Sequence, residues 1–243
     1  MYLALSGPFP ENLDLLPRCL MRYTRLIDDF KLQLSKIDVI PDDVSSYKTQ
    51  EYWNQRYSKE SSNTTFDWFK TYKDLKPLFD EQLQNKDASI LMLGCGNSTL
   101  SEDMYDAGYH NITNVDFSEI VIENMRNRCI DKVGMSWLVM DIRDLKFPDE
   151  MFDVIIDKGT MDALMSDEGD VWDPKPETVE NVKRGVDQVS VESRRKGIYL
   201  LFYNPRHSVQ NLIFRCLKDR AGTLTSKNWV NYNNCLNSIE VIS

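Results

Sequence analysis

The residues with the most chemical promise lie between Leu91 and Asp162. Leu91-Met92-Leu93 runs straight into Gly94-Cys95-Gly96-Asn97-Ser98. Glycines at the end of an apolar strand permit a tight turn and let a ligand approach the backbone, because no Cβ stands in the way. A dinucleotide site would carry a third glycine at the position held by Thr99. Its absence weakens a pyrophosphate reading and favours a ligand whose amino-acid part lies over the turn. Asp116 follows Gly96 by 20 residues, an offset at which an acid can accept hydrogen bonds from ribose hydroxyls. Asp141 closes a third apolar run, Leu138-Val139-Met140, and Asp157-Lys158-Gly159-Thr160-Met161-Asp162 follows a fourth, Val154-Ile155-Ile156. Each acid alone is equally at home as a turn or helix-cap residue. Together they line the carboxyl edge of a parallel sheet, where open α/β folds bind ligands.

The elements that must hold these residues are legible from periodicity. Ile90–Leu93, Ile112–Val115, Trp137–Met140, Phe152–Ile156 and Ile198–Tyr203 read as strands. Between them lie helical patterns: Leu100–Ala107 ending at Gly108, a helix capped by Ser118 and running to Cys129, and Val179–Ser190. This alternation predicts an α/β domain with a mostly parallel sheet and helices on both faces. Upstream, apolar positions at helical spacing between Leu16 and Leu34 predict a helical extension over residues 1–43. Pro41-Asp42-Asp43 separates it from an aromatic stretch with Tyr47, Tyr52-Trp53, Tyr57 and Phe66-Asp67-Trp68-Phe69.

Composition narrows the chemistry. The chain has 243 residues and a formal net charge of −9. An acidic surface repels phosphate backbones and suits a basic protein partner better than nucleic acid. Five cysteines without a Cys-x-x-Cys pair fit free thiols in a reducing compartment, which makes the cytoplasm the expected location. No run approaches the roughly 18 apolar residues of a membrane span, so no membrane association is expected. The only histidines are His110 and His207, so neither a Ser-His-Asp set nor a metal cluster is in view.

The chain resembles the seven-strand class I methyltransferases dependent on S-adenosyl-L-methionine. More narrowly it resembles the elongation factor 1-alpha lysine methyltransferase 4 group, related to the methyltransferase-like 13 proteins. The resemblance is carried by Glu51-Tyr52-Trp53-Asn54-Gln55-Arg56-Tyr57, Asp67-Trp68-Phe69, Leu93-Gly94-Cys95-Gly96-Asn97-Ser98, Val115-Asp116-Phe117-Ser118, Met140-Asp141-Ile142-Arg143 and Asp157-Lys158-Gly159-Thr160-Met161-Asp162-Ala163-Leu164. It implies a Rossmann-like domain over residues 44–205 with S-adenosyl-L-methionine as cofactor. By the same resemblance, Trp53, Tyr57 and Trp68 would close over the cofactor, and Gly94 would admit its methionine part. Asp116 would hold the ribose with Phe117 beside the adenine. Asp141 and Ile142 would frame the adenine, and Lys158 would reach the carboxylate end. A sulfonium cation suits aromatic faces.

The resemblance fails after Ser190, where the family's proline–glycine–glycine turn is missing. Residues 206–243 read as a divergent tail without a final strand pair, so the C-terminal strands are expected to be altered or incomplete. The implied reaction is methyl transfer to a lysine ε-amine of a protein substrate, elongation factor 1-alpha. Asp157 and Asp162, flanking the fourth-strand turn, are the candidates for orienting the amine. Two other readings stay open: a methyltransferase acting on a small molecule, and an inactive cofactor-binding or partner-binding paralogue.

Overall fold

A computed structural model describes residue 41 and residues 43–166, 174–203, 210–216 and 229–231. The helical extension expected over residues 1–43 lies outside the described residues apart from positions 41 and 43. The described fold belongs to the compact unit Asp43–Ser243.

A short 3-10 turn, Val44–Lys48, leads into α1 (Gln50–Lys59), which Thr49 caps by accepting the Tyr52 N–H. Glu51 in its first turn and Arg56 and Lys59 in its last complement the helix dipole. Helix α2 (Tyr72–Gln82) starts with a reciprocal Thr71–Asp74 capping box. The alternating part follows: β1 (Ile90–Leu93), α3 (Leu100–Asp106), β2 (Ile112–Asp116), α4 (Glu119–Arg128), β3 (Met135–Val139), β4 (Phe152–Lys158), α5 (Thr160–Leu164), α6 (Pro176–Glu192) and β5 (Ser193–Tyr203). Pro176 opens α6 at the first-turn position that needs no N–H.

The sheet has the order β3-β2-β1-β4-β5, continued by β6 (Gln210–Cys216) and β7 (Trp229–Asn231). The pairs among β1 to β5 are parallel, whereas β5–β6 and β6–β7 are antiparallel. This corrects the expectation of a tail without a final strand pair. The signal, Leu212-Ile213-Phe214, is only three apolar residues in a polar setting. An antiparallel edge needs no more than that, because the long β5 supplies the pairing partner.

Strand alternation explains the two layers. In β1, Ile90 and Met92 enter one core with Leu75, Phe79, Val154, Ile156, Leu200 and Phe202. Leu91 and Leu93 point the other way, into a core with Val115, Ile155, Val189 and Tyr199. Every residue of β1 and β2 is therefore buried, as parallel strands covered on both faces require. The outermost parallel strand, β3, buries only Trp137. Chain order runs outward from β1 in both directions, so the switch point lies between β1 and β4, and a crevice opens beyond their carboxyl ends.

Candidate functional site

A cavity of about 280 Å³ occupies that crevice. Its walls include Gly94 after β1, Asp116 and Phe117 after β2, Asp141 and Ile142 after β3, Lys158 at the end of β4, and Asp162 on α5. Trp53, Tyr57 and Trp68 wall it from the N-terminal side. Every residue expected to bind the cofactor thus faces one space, and Asp162 shares it.

Asp157 does not line the cavity. Its carboxylate is fully buried and turned into the start of α5, accepting the N–H of Thr160 (2.9 Å) and of Met161 (3.1 Å), with the Tyr199 hydroxyl 3.5 Å away. Gly159 caps α5 in the left-handed conformation and has no side chain to offer, so Asp157 satisfies these terminal N–H groups instead. The expectation that it meets the incoming amine is therefore corrected: it secures the helix that carries Asp162.

Asp116 is 5% exposed. One carboxylate oxygen accepts the Gly96 N–H and the other the Ser118 N–H, each at 2.9 Å. Burial pushes its pKa up to about 6, against the pull of those backbone donors. The Phe117 N–H also favours the carboxylate, and three backbone donors still leave acceptor capacity on a group with about four lone-pair sites. Ser118 begins α4 as expected, but its hydroxyl bonds the Asn54 side chain at 2.6 Å rather than capping the helix. Asp141 holds Arg143 in a two-oxygen fork, Oδ1 accepting from Nε and Oδ2 from Nη2. Burial raises the Asp141 pKa, but the Arg143 bonds outweigh it and keep the carboxyl below its ordinary value.

The glycine turn does something the sequence did not reveal. Gly94 and Gly96 both adopt positive φ, 52° and 51°. A Cβ on Gly94 would lie 2.1 Å from the Thr160 hydroxyl oxygen, which itself donates to the Leu93 carbonyl at 3.0 Å. The room left by the missing side chain is thus taken by Thr160 from the β4 turn. A Cβ on Gly96 would lie 2.9 Å from the Tyr57 hydroxyl. The two glycines admit one protein side chain each, and this locks the end of β1 to the start of α5 and to α1.

The aromatic wall hosts a cation of its own. The Arg56 guanidinium carbon lies 5.3 Å from the Trp53 ring centre, 5.2 Å from Phe66 and 5.4 Å from Trp68. Its Nη1 is buried without a hydrogen-bond partner, so the ring faces stabilise the charge in place of an acceptor. Arg56 also pairs with Glu60 at 3.0 Å, and the other Glu60 oxygen accepts from Asn97 at 2.8 Å. Trp53 stacks on Tyr57 at 5.7 Å and donates to the Tyr47 carbonyl at 2.8 Å. Lys158 reaches the cavity with its ammonium engaged by Asp67 (3.2 Å) and by the Trp68 carbonyl (3.0 Å). Arg56, Glu60, Asn97 and the acid of Asp67-Trp68-Phe69 are polar neighbours of the cavity wall whose partners the sequence did not reveal.

Residues 90–187 match the family model described as a methyltransferase domain. The EEF1A lysine methyltransferase 4 of Bos taurus is 35% identical over 156 residues, covering 64% of this chain and 61% of the relative. The Mus musculus protein of the same description is 36% identical, covering 62% and 59%. The mouse eEF1A lysine and N-terminal methyltransferase is 36% identical over 68% of this chain but only 22% of its own length. The chain thus spans about three-fifths of the first two relatives.

Proposed function

We propose that this chain, which carries a methyltransferase domain over residues 90–187 and takes S-adenosyl-L-methionine as its cofactor, transfers a methyl group to a lysine ε-amine of elongation factor 1-alpha. The observation that carries the reading is the 35–36% identity to two EEF1A lysine methyltransferase 4 proteins. The net charge of −9 suits docking onto a basic protein, where complementary charge speeds encounter. The cytoplasm, whose reducing conditions keep cysteines as thiols, is the proposed location.

The residues present fit the cofactor. Asp116 keeps carboxylate lone pairs for hydroxyl donors, Phe117 and Ile142 offer apolar surface for a base, and Lys158 offers positive charge for a carboxylate. When bound, S-adenosyl-L-methionine supplies a methyl group on a sulfonium. The chain's own part is to bind, orient and dry the site. Asp116 accepts the ribose hydroxyls, and Asp141 accepts from the adenine amino group. Trp53, Tyr57 and Trp68 wall the cavity with ring faces and exclude water. A lysine amine, ordinarily protonated with a pKa near 10.4, loses its proton more readily once desolvated against those rings. Asp162 orients the amine as it enters. Alignment of nucleophile and methyl carbon then provides the rate gain.

The test is incubation of the purified chain with S-adenosyl-L-methionine and elongation factor 1-alpha, followed by mass-spectrometric mapping. Methyl groups on a lysine side chain are expected. Methylation of a metabolite alone would replace the substrate assignment. Cofactor binding with no methylated product would favour an inactive paralogue.

A further inference from the structure

Asp67 lies in the link between α1 and α2, outside any helix or strand, yet it touches two elements of the cavity floor. Its Oδ1 accepts from Ser98 Oγ at 2.5 Å in the glycine turn and from Lys158 Nζ at 3.2 Å at the end of β4. Its Oδ2 lies 3.2 Å from Thr99 Oγ1, whose single hydrogen is shared with Asp103 at 2.9 Å. The Lys158 and Asp67 side chains are 5% and 15% exposed. Lys158 spends a second donor on the Trp68 carbonyl, and a third remains for a ligand in the cavity that it lines.

The next residues show why the link must be held. Phe69 has φ 64°, which a non-glycine residue keeps only when its surroundings enforce it. The Trp68 carbonyl accepts from Lys70 N at 2.7 Å, closing a tight turn. A Cβ on Gly159 would lie 3.2 Å from the Phe69 ring, so the turn packs directly on the end of β4.

We propose that Asp67 is a positioning residue for the cofactor: its carboxylate holds the Lys158 ammonium at the cavity wall and seats the Trp68–Phe69 turn against β4. The proposal rests on the S-adenosyl-L-methionine reading above. Burial pushes the Lys158 pKa down, and Asp67 is the charge that opposes it. The other acids nearby have different duties: Asp103 on α3 shares Thr99, Asp157 is turned into α5, Asp116 holds backbone donors across the cavity, and Asp162 lies on α5 at the cavity.

The experiment is calorimetric titration of S-adenosyl-L-methionine into the wild-type chain, Asp67→Asn, Lys158→Gln, and Asp67→Asn combined with Lys158→Gln, from pH 7 to pH 9. The ratio of variant to wild-type Kd cancels the cofactor's own titration. For Asp67→Asn the ratio should be on the order of tenfold at pH 7, the size expected for losing a charge-assisted contact. Any growth of the ratio with pH should go upward, because burial disfavours the Lys158 ammonium and Asp67 no longer opposes it. In the double variant the ratio should stay flat. Unchanged affinity for Asp67→Asn, or the same loss on Asp67→Asn when Lys158 is already glutamine, overturns the proposal while leaving the cofactor reading intact. If wild-type protein fails to bind the cofactor, the underlying reading falls and takes the proposal with it. Should Asp67→Asn melt below the assay temperature, Asp67→Glu carries the test. It keeps the charge but moves it by one methylene, so its affinity loss should vanish when Lys158 is glutamine, and a loss that persists there would overturn the proposal.

Discussion

Under the proposed contact with the ribose, the buried carboxylate of Asp116 makes cofactor binding a titration. Hydroxyl donors favour the ionised form, so binding lowers a pKa that burial holds at about 6 in the free protein. Affinity should therefore be level above pH 7 and weaken as pH falls through 6, by at most about tenfold per unit. Asp116→Ala should cost roughly 1.5–3 kcal/mol of cofactor binding and erase that step. A pH-independent Kd in the wild-type chain would remove Asp116 from the ribose contact. Asp157 invites the opposite pattern. Its loss strands the buried Met161 N–H and the part-buried Thr160 N–H at the start of α5, so Asp157→Ala should destabilise the fold by about 1–3 kcal/mol in denaturant melts. Its effect on transfer should follow from that destabilisation. A stable variant with collapsed kcat would return Asp157 to direct work on the amine.

At the scale of elements, the glycine turn and the turn after β4 form one joint, because Thr160 fills the space at Gly94. Gly94→Ala meets both a clash and a φ of 52°, and should cost roughly 1–3 kcal/mol. Thr160→Gly removes the clashing atoms but not the backbone strain. Combined with Gly94→Ala it should recover part of the loss, and a double-mutant cycle should read a coupling of about 0.5–3 kcal/mol. Strict additivity of the two changes would show that the joint does not exist. Helix α1 follows the same logic on the other side. Its Tyr57 hydroxyl abuts Gly96 and its Arg56 lies among the rings of Trp53, Phe66 and Trp68.

For the whole molecule, the sheet edge decides behaviour. Strand β6 pairs with Ile198 through Tyr203 of β5. Deleting residues 206–243 would expose that row of N–H and C=O groups, an invitation to edge-to-edge association. Light scattering should detect oligomers and a lowered melting temperature in the truncated chain. A monodisperse product with unchanged melting would show that the strand pair is dispensable. Under the proposed function, the net charge of −9 should also make methylation of elongation factor 1-alpha slower at high salt. A rate indifferent to ionic strength would argue that charge does not steer the encounter.

Residue pattern alone carries the parallel part of the fold and the strand ends that line the cavity. Apolar strands bury on both faces, helices alternate with them, and acids placed at successive strand ends must converge on one edge whatever the details of packing. Local pattern suffices there, because each strand carries its own signal. The aromatic wall was legible as a motif, but not as a box for Arg56, since Trp53, Phe66 and Trp68 meet only when α1 and the following link fold back together. The same limit applies to Asp157, Lys158 and Gly94. Pattern placed all three at strand ends facing a ligand. Only the tertiary structure turned Asp157 inward to cap α5, paired Lys158 with Asp67 and filled the Gly94 space with Thr160. Strands β6 and β7 leave only a faint trace in the sequence, because an antiparallel edge draws its stability from the neighbour it pairs with rather than from a long apolar run of its own. Contacts between residues 67 or more apart in sequence, such as Thr160 with Leu93 and Lys158 with Trp68, are set by how strands stack side by side. That arrangement depends on the whole core, and a linear pattern of residue types does not record it.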